Sequence, residues 1–254
     1  MTRTRIVGAV IGLGVASAAM LGGNADTAEI KVISTGSFKE VLGELAPAFE
    51  KSTGHKVTAI FAGTDDIVRR LGAGETLDIV IAPAVWIDDL IKRGLVVADS
   101  RADVARSGIG AATRAGAPRI DIGSADGFKN GLLGAKSIVL SAGVSGIYLN
   151  GLFQRWGVAG ELKPKITTLP GSIEVAGALV RGEAEVGFLQ VSELLSVKGI
   201  VFLGPLPADI QEMTAITAGF GKAAGAPEAA RALVKFLMSP ETAPAKRKTG
   251  LEPG

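Results

Sequence analysis

The sequence predicts an α/β protein built as two doubly wound halves joined by a two-strand hinge. Three observations carry this expectation. Strand–turn–helix units recur along the 254 residues, first before residue 95 and again after residue 136. Runs such as Asp78-Ile-Val-Ile-Ala82 are nearly all apolar, as a strand buried on both faces of a parallel sheet must be. Two strand-like stretches rich in small residues, 107–115 and 213–220, lie where the chain would cross between the halves.

The first unit is a β-branched strand over Glu29–Ile33, a turn at Ser34-Thr35-Gly36, and a helix from Ser37. Phe38, Val41, Leu42, Leu45 and Phe49 fall at helical spacing, and Ser37 with Glu40 forms a capping-box signature. A second strand, Lys56–Phe61, turns through Ala62-Gly63 into a helix from Thr64 with Ile67, Val68 and Leu71 apolar. After the strand at 78–82, residues 86–93 are helical and end at Gly94. The pattern restarts with a strand at Ser137–Ser141 and a helix from Ser145 to Trp156. It continues with a strand at Ile166–Leu169, a helix from Ser172 to Arg181, and strands at Glu185–Gln190 and Gly199–Leu203. Residues 227–238 form a last helix, and the tail is polar. The expected division is 26–117 with 213–254 as one domain and 118–212 as the other.

Residues 1–25 carry Arg3 and Arg5, then an apolar run and small residues, the pattern of a secretory signal peptide. Cleavage is placed after Ala25, with Ala18 and Ala28 as alternatives, and a retained membrane anchor is the competing interpretation. The segment holds two basic and no acidic residues, so the formal net charge of +2 belongs to it and the remainder balances to zero. Nothing then supplies a basic face for nucleic acid. Cysteine is absent, which removes disulfides, thiolate metal sites, a lipoprotein anchor and a cysteine nucleophile.

Four helix starts stand out: Ser37, Thr64, Ser145 and Ser172, two in each half, each after a Gly-containing turn. Taken singly, each is ordinary capping. Together they could converge at the C-terminal ends of parallel strands, where hydroxyls and helix N-termini hold a small oxyanion without a counter-charge.

At these residues the chain resembles the periplasmic molybdate-binding proteins, within the type II solute-binding proteins of ABC importers. The resemblance covers the whole mature chain. It rests on Ile33-Ser-Thr-Gly-Ser-Phe38, Phe61-Ala-Gly-Thr64, Leu77-Asp-Ile-Val-Ile-Ala82, Val144-Ser-Gly-Ile-Tyr148 and Glu183-Ala-Glu-Val-Gly187. It implies ligand hydroxyls at Ser37 and Thr64, backbone donors at Ser145 and Ser172, and a site that includes Gly36, Gly63 and Gln190. It further implies a monomeric, periplasmic, non-catalytic protein that needs no cofactor, binds molybdate or tungstate as an oxyanion rather than a free metal cation, and serves a membrane permease. Two departures bear on the ligand. Gln190 stands where the family often has Tyr, and Asp65 and Asp66 follow Thr64 where it commonly has small or neutral side chains. Another small anion, an organic carboxylate or phosphate, is therefore the alternative.

A hydrolytic enzyme on the same fold is the more distant alternative, with Ser37 as nucleophile. It needs a base, and His55, the only histidine, is expected at the far end of the first helix, on the surface. Phe153 and Trp156 are expected in the core, Tyr148 in packing, Arg69 and Arg70 in water, and Lys246-Arg-Lys248 as a solvated cluster.

Overall fold

The computed structural model describes residues 27–254, so the secretory segment expected at 1–25 lies outside the described residues. The first half runs β1 (Glu29–Ser34), a 3-10 turn (Gly36–Phe38), α1 (Lys39–Thr53), β2 (Lys56–Phe61), α2 (Thr64–Gly72), β3 (Ile79–Pro83) and α3 (Ala84–Lys92). The long strand β4 (Ala102–Arg114) leads into α4 (Ala125–Gly134), β5 (Ile138–Ser141), α5 (Val144–Arg155), α6 (Ala159–Leu162) and β6 (Ile166–Leu169). Then come α7 (Ser172–Arg181), β7 (Val186–Gln190), α8 (Val191–Leu194) and β8 (Ile200–Pro205). The chain ends with β9 (Met213–Phe220), α9 (Pro227–Leu237), α10 (Ala243–Lys248) and β10 (Glu252–Pro253).

Strand order is β2-β1-β3-β9-β4-β7-β5-β6, with β8 and β10 both paired to β4. Three strands run parallel in each half, β2-β1-β3 and β6-β5-β7, and each trio is closed by an antiparallel neighbour. As predicted, two strands make the connection. Residues 102–108 of β4 pair with β9, while 109–114 pair with β7 and β8. The passage is pinned at Ile109, whose N–H donates to Gln211 Oε1 (2.7 Å) and whose carbonyl accepts from Gln211 Nε2 (2.9 Å).

Helices cover both faces of each parallel trio, which explains why every residue of β3, β5 and β7 is buried. In the first half Phe38, Leu42 and Phe49 pack on one face with Leu233 and Leu237, and Ile67, Ile87 and Leu90 on the other. In the second half Phe128, Phe153 and Phe188 build one face, with the Phe128 and Phe188 rings edge-on at 5.4 Å, and Val175 and Leu179 build the other. Phe153 is thus core, Trp156 packs against it half-buried, and Tyr148 donates its hydroxyl to the Ile210 carbonyl at 2.7 Å.

Several local expectations are corrected. Ser37 does not cap α1: the helix begins at Lys39 after the 3-10 turn, and the Ser37 hydroxyl lies 3.0 Å from Thr35 Oγ1 instead. Helix α4, with Gly127 and Gly131 inside it, is weak by propensity and held by Ser124 at its start. The polar tail folds back, and Lys246 is buried with Nζ donating to the Leu237 carbonyl at 2.6 Å; burial lowers its pKa to about 8. His55 is half-buried, its Nδ1 accepting from the Ala28 N–H at 3.2 Å.

Asp78 explains one polar residue in an otherwise apolar motif. It is 2% exposed, and its carboxylate accepts from the N–H groups of Lys31 (2.7 Å), Gly225 (2.7 Å) and Ala226 (2.8 Å). It thereby ties β1 to the segment that enters α9. Asp78→Ala would remove the shared buried acceptor of three backbone donors. We expect destabilisation of at least about 3 kcal/mol, since each hydrogen bond to a charged group contributes roughly 1.5–3 kcal/mol. A urea midpoint within error of the unsubstituted protein would refute this role.

Candidate functional site

Within each half the parallel strands end at one edge, the two trios run in opposite directions, and the turns that follow them face each other across a cleft. The cleft encloses a cavity of ≈ 560 Å³. The first half contributes Thr35, Gly36, Ser37, Gly63, Thr64 and Trp86. The second contributes Ser141, Gly143, Ser145, Gly171, Ser172 and Glu193. Six of the seven residues singled out in the sequence line this cavity. Gln190 does not: it is buried behind the wall, where its Nε2 donates to Ser145 Oγ at 2.8 Å and to Thr214 Oγ1 at 3.3 Å.

The helix starts are not capped. Gly63, Gly143 and Gly171 occupy the cap positions of α2, α5 and α7 in extended conformation, and none offers a side-chain acceptor. Thr64, Ser145 and Ser172 sit inside the first turns rather than at the caps. The N–H groups at these helix starts therefore remain available to an anion, with the helix dipoles behind them. Gly146 seats α5 closely on its strand, since a Cβ there would fall 1.8 Å from the Ser141 carbonyl oxygen.

Charge in the cleft is unusual for an anion site. No arginine lines it among the described residues, and Lys39, at its edge, is exposed. Asp65 is exposed to solvent. Asp66 is held by Arg70 (2.9 Å) and by Arg69, and these bonds, Arg70 foremost, keep its carboxyl below the usual range. Both arginines are thus occupied by Asp66. The carboxyl that enters the cleft is Glu193 of α8, a residue the sequence reasoning did not single out. It accepts from the Gln190 N–H at 3.1 Å, half of the pattern that a polar residue followed three later by Glu signals. Burial pushes its pKa up to about 7, against the pull of the Gln190 N–H and the Ser172 hydroxyl, and no cation shares the work.

The halves meet at this point. A Cβ on Gly36 would lie 2.5 Å from Ser172 Oγ and 3.0 Å from Glu193 Oε1, so the first-half turn passes directly over both groups. Among the described residues no group of three or more His, Asp or Glu could hold a metal ion.

Glu193 leaves a mark on stability. Its folded pKa of about 7 lies above the ordinary 4.5, so the folded state holds more protons than the unfolded state between these values. Its contribution is most favourable below about pH 4.5 and is lost as pH rises to 7, with a slope of at most about 1.4 kcal/mol per pH unit. Glu193→Gln should lack this loss, so its melting temperature should exceed that of the unsubstituted protein at pH 8 and converge with it toward pH 4. A difference that does not depend on pH would contradict the buried environment.

Residues 30–252 match the family model described as bacterial extracellular solute-binding protein. Over 231 residues the chain is 38% identical to the aconitate isomerase of a Pseudomonas species, covering 88% of this chain and 87% of the relative. Over 255 residues it is 25% identical to the molybdate-binding protein of Escherichia coli (strain K12), covering 96% and 95% respectively. The solved periplasmic molybdate-binding protein of Azotobacter vinelandii superposes with a TM-score of 0.73 at 17% identity, covering 87% of this chain and 98% of that one. The fold is that of the type II periplasmic binding proteins, as expected. The expectation of a non-catalytic protein is corrected, because a relative at 38% identity carries the name of an enzyme. That expectation rested on the resemblance and on the missing base for a serine nucleophile, and the second point bears on hydrolysis alone. From β1 to β10, this chain belongs to the bacterial extracellular solute-binding protein family.

Proposed function

We propose that the cleft takes a small polycarboxylic acid, aconitate first, and isomerises it. Glu193 carries this proposal. A fully ionised tetraoxoanion presents only acceptors, so a site built for it offers only donors. Here a carboxyl with no cation beside it stands among the donors. Such a group suits a ligand that also presents C–H bonds or a protonated oxygen. Size supports the same choice. A cavity of ≈ 560 Å³ lies in the range of organic-ligand pockets, about 300–1,000 Å³, whereas four oxygens about one centre fill only a few times the roughly 30 Å³ share of a water. The 38% identical aconitate isomerase points to the same ligand class.

In this account Ser37 and Thr64 donate from the first half and the starts of α5 and α7 donate from the second, each meeting a carboxylate of the ligand. Gln190 orients Ser145 from behind. The halves, 26–117 with 213–254 and 118–212, close over the ligand about β4 and β9. The protein acts outside the cytoplasmic membrane as a monomer and passes its ligand to an ABC permease. A second proposal, molybdate or tungstate, is favoured by the uncapped starts of α2, α5 and α7, which suit any compact oxyanion.

A thermal-shift panel separates the two. A ligand at 100 times its Kd adds about 2.7 kcal/mol of stability. We expect a shift with cis- or trans-aconitate and none with molybdate, tungstate or sulfate; the reverse pattern would overturn the polycarboxylate proposal. Ser37→Ala and Thr64→Val should each weaken aconitate binding by about 1.5–3 kcal/mol, read by calorimetric titration. Loss of less than twofold at both positions would remove them from the site.

A further inference from the structure

The geometry points to Glu193 as the one acid–base residue of the cleft, taking a proton from the saturated carbon of bound aconitate and returning it to the far carbon of the same three-carbon unit. This rests on the proposed polycarboxylate occupant. The step balances without a co-reactant. The C–H bond breaks and an O–H bond forms on Glu193, and the electron pair spreads over the allylic carbons and the flanking carboxylate. The same O–H then delivers its proton to the other terminus, and the double bond moves across. One carboxyl suffices, with no metal, redox partner or nucleophile in the balance.

The other titratable side chains at the cavity do not fit this task. Glu40, Asp65 and Glu174 are exposed to water, and Asp66 is committed to Arg69 and Arg70. Lys39 is exposed at the edge. His55 lies against Ala28, at the opposite ends of the strands from the cavity. Glu193 differs from all of these. It lines the cavity between the two halves, held from its own side by the Gln190 N–H and covered from the other by the turn at Gly36. A base held by backbone in a crowded site keeps its position while the ligand's carbons are presented to it. The groups that bind carboxylates, the hydroxyls and helix starts, surround it and would stabilise the charge that grows on a flanking carboxylate as the proton leaves. Its carboxyl also titrates near neutrality, where a residue can both take and return a proton.

The test uses the full protein with trans-aconitate and cis-aconitate in deuterium oxide, followed by proton NMR. We expect the unsubstituted protein to interconvert the two acids and to introduce deuterium at the allylic carbons. Glu193→Gln should lower kcat by about 10²–10⁴-fold with both the thermal shift by aconitate and KM within about threefold. Glu193→Asp, which keeps the carboxyl but withdraws it, should recover part of the rate. In the unsubstituted protein kcat/KM should rise through an apparent pKa near 7, a readout that stands even if Glu193→Gln fails to fold. If Glu193→Gln retains a tenth of the rate or more, the assignment of Glu193 falls while the polycarboxylate cleft survives. If aconitate binds the unsubstituted protein without conversion or exchange, the assignment also falls. If aconitate neither shifts the melting temperature nor reacts, the occupant itself is wrong and the assignment goes with it.

Discussion

An anion held without a cation must be held by dipoles. The cleft supplies them from backbone N–H groups at helix starts that no side chain caps, because glycine occupies the cap positions of α2, α5 and α7. Such starts are useful only if they converge, and convergence comes from the sheet. Parallel strands in each half place their C-terminal ends at one edge, and β4 with β9 fixes the two halves so that these edges face each other. The buried runs of β3, β5 and β7, the carboxylate of Asp78 and the clamp of Gln211 on Ile109 all serve that placement. Helix stability that capping would have provided is given up at the cleft, and packing of both faces of each sheet offsets it.

Glu193 introduces an opposing constraint. Desolvating a carboxyl with no cation beside it costs free energy, and this half-buried one has only an N–H and a hydroxyl to offset the loss of water. A protein selected only to bind a tetraoxoanion would do better with a donor or an apolar side chain at this place. Functional sites are where such locally unfavourable choices persist. The same crowding bears on Gly36, where a Cβ would displace the Ser172 hydroxyl and press on Glu193.

Much of the fold was legible because buried strands and amphipathic helices write their periods into the sequence. The run Asp78–Ala82 and the helix after Ser172 are examples, and the small residues of β4 and β9 marked the crossing. Six cavity residues were legible for a related reason: a hydroxyl after a glycine turn signals a helix start whether or not it caps. What that signal cannot say is which way the hydroxyl points, so the capping assigned to Ser37 was replaced by its contact with Thr35. Glu193 was missed because α8 has four residues, too short for any period, between two strands. Lys246 was missed because its burial depends on α9 and α10 folding together, and hydropathy alone assigns a lysine to water. The expectation of a non-catalytic protein was overturned by the relative named as an enzyme and not by a motif, since a search for paired serine and histidine speaks only to hydrolysis.

The central claim is that the two halves close on a polycarboxylate held beside Glu193, under the Gly36 turn. Small-angle X-ray scattering of the protein, alone and saturated with trans-aconitate, tests it most directly. A decrease in radius of gyration with trans-aconitate, and none with molybdate, is the predicted result. An unchanged profile at saturating aconitate, or contraction with molybdate alone, would contradict it.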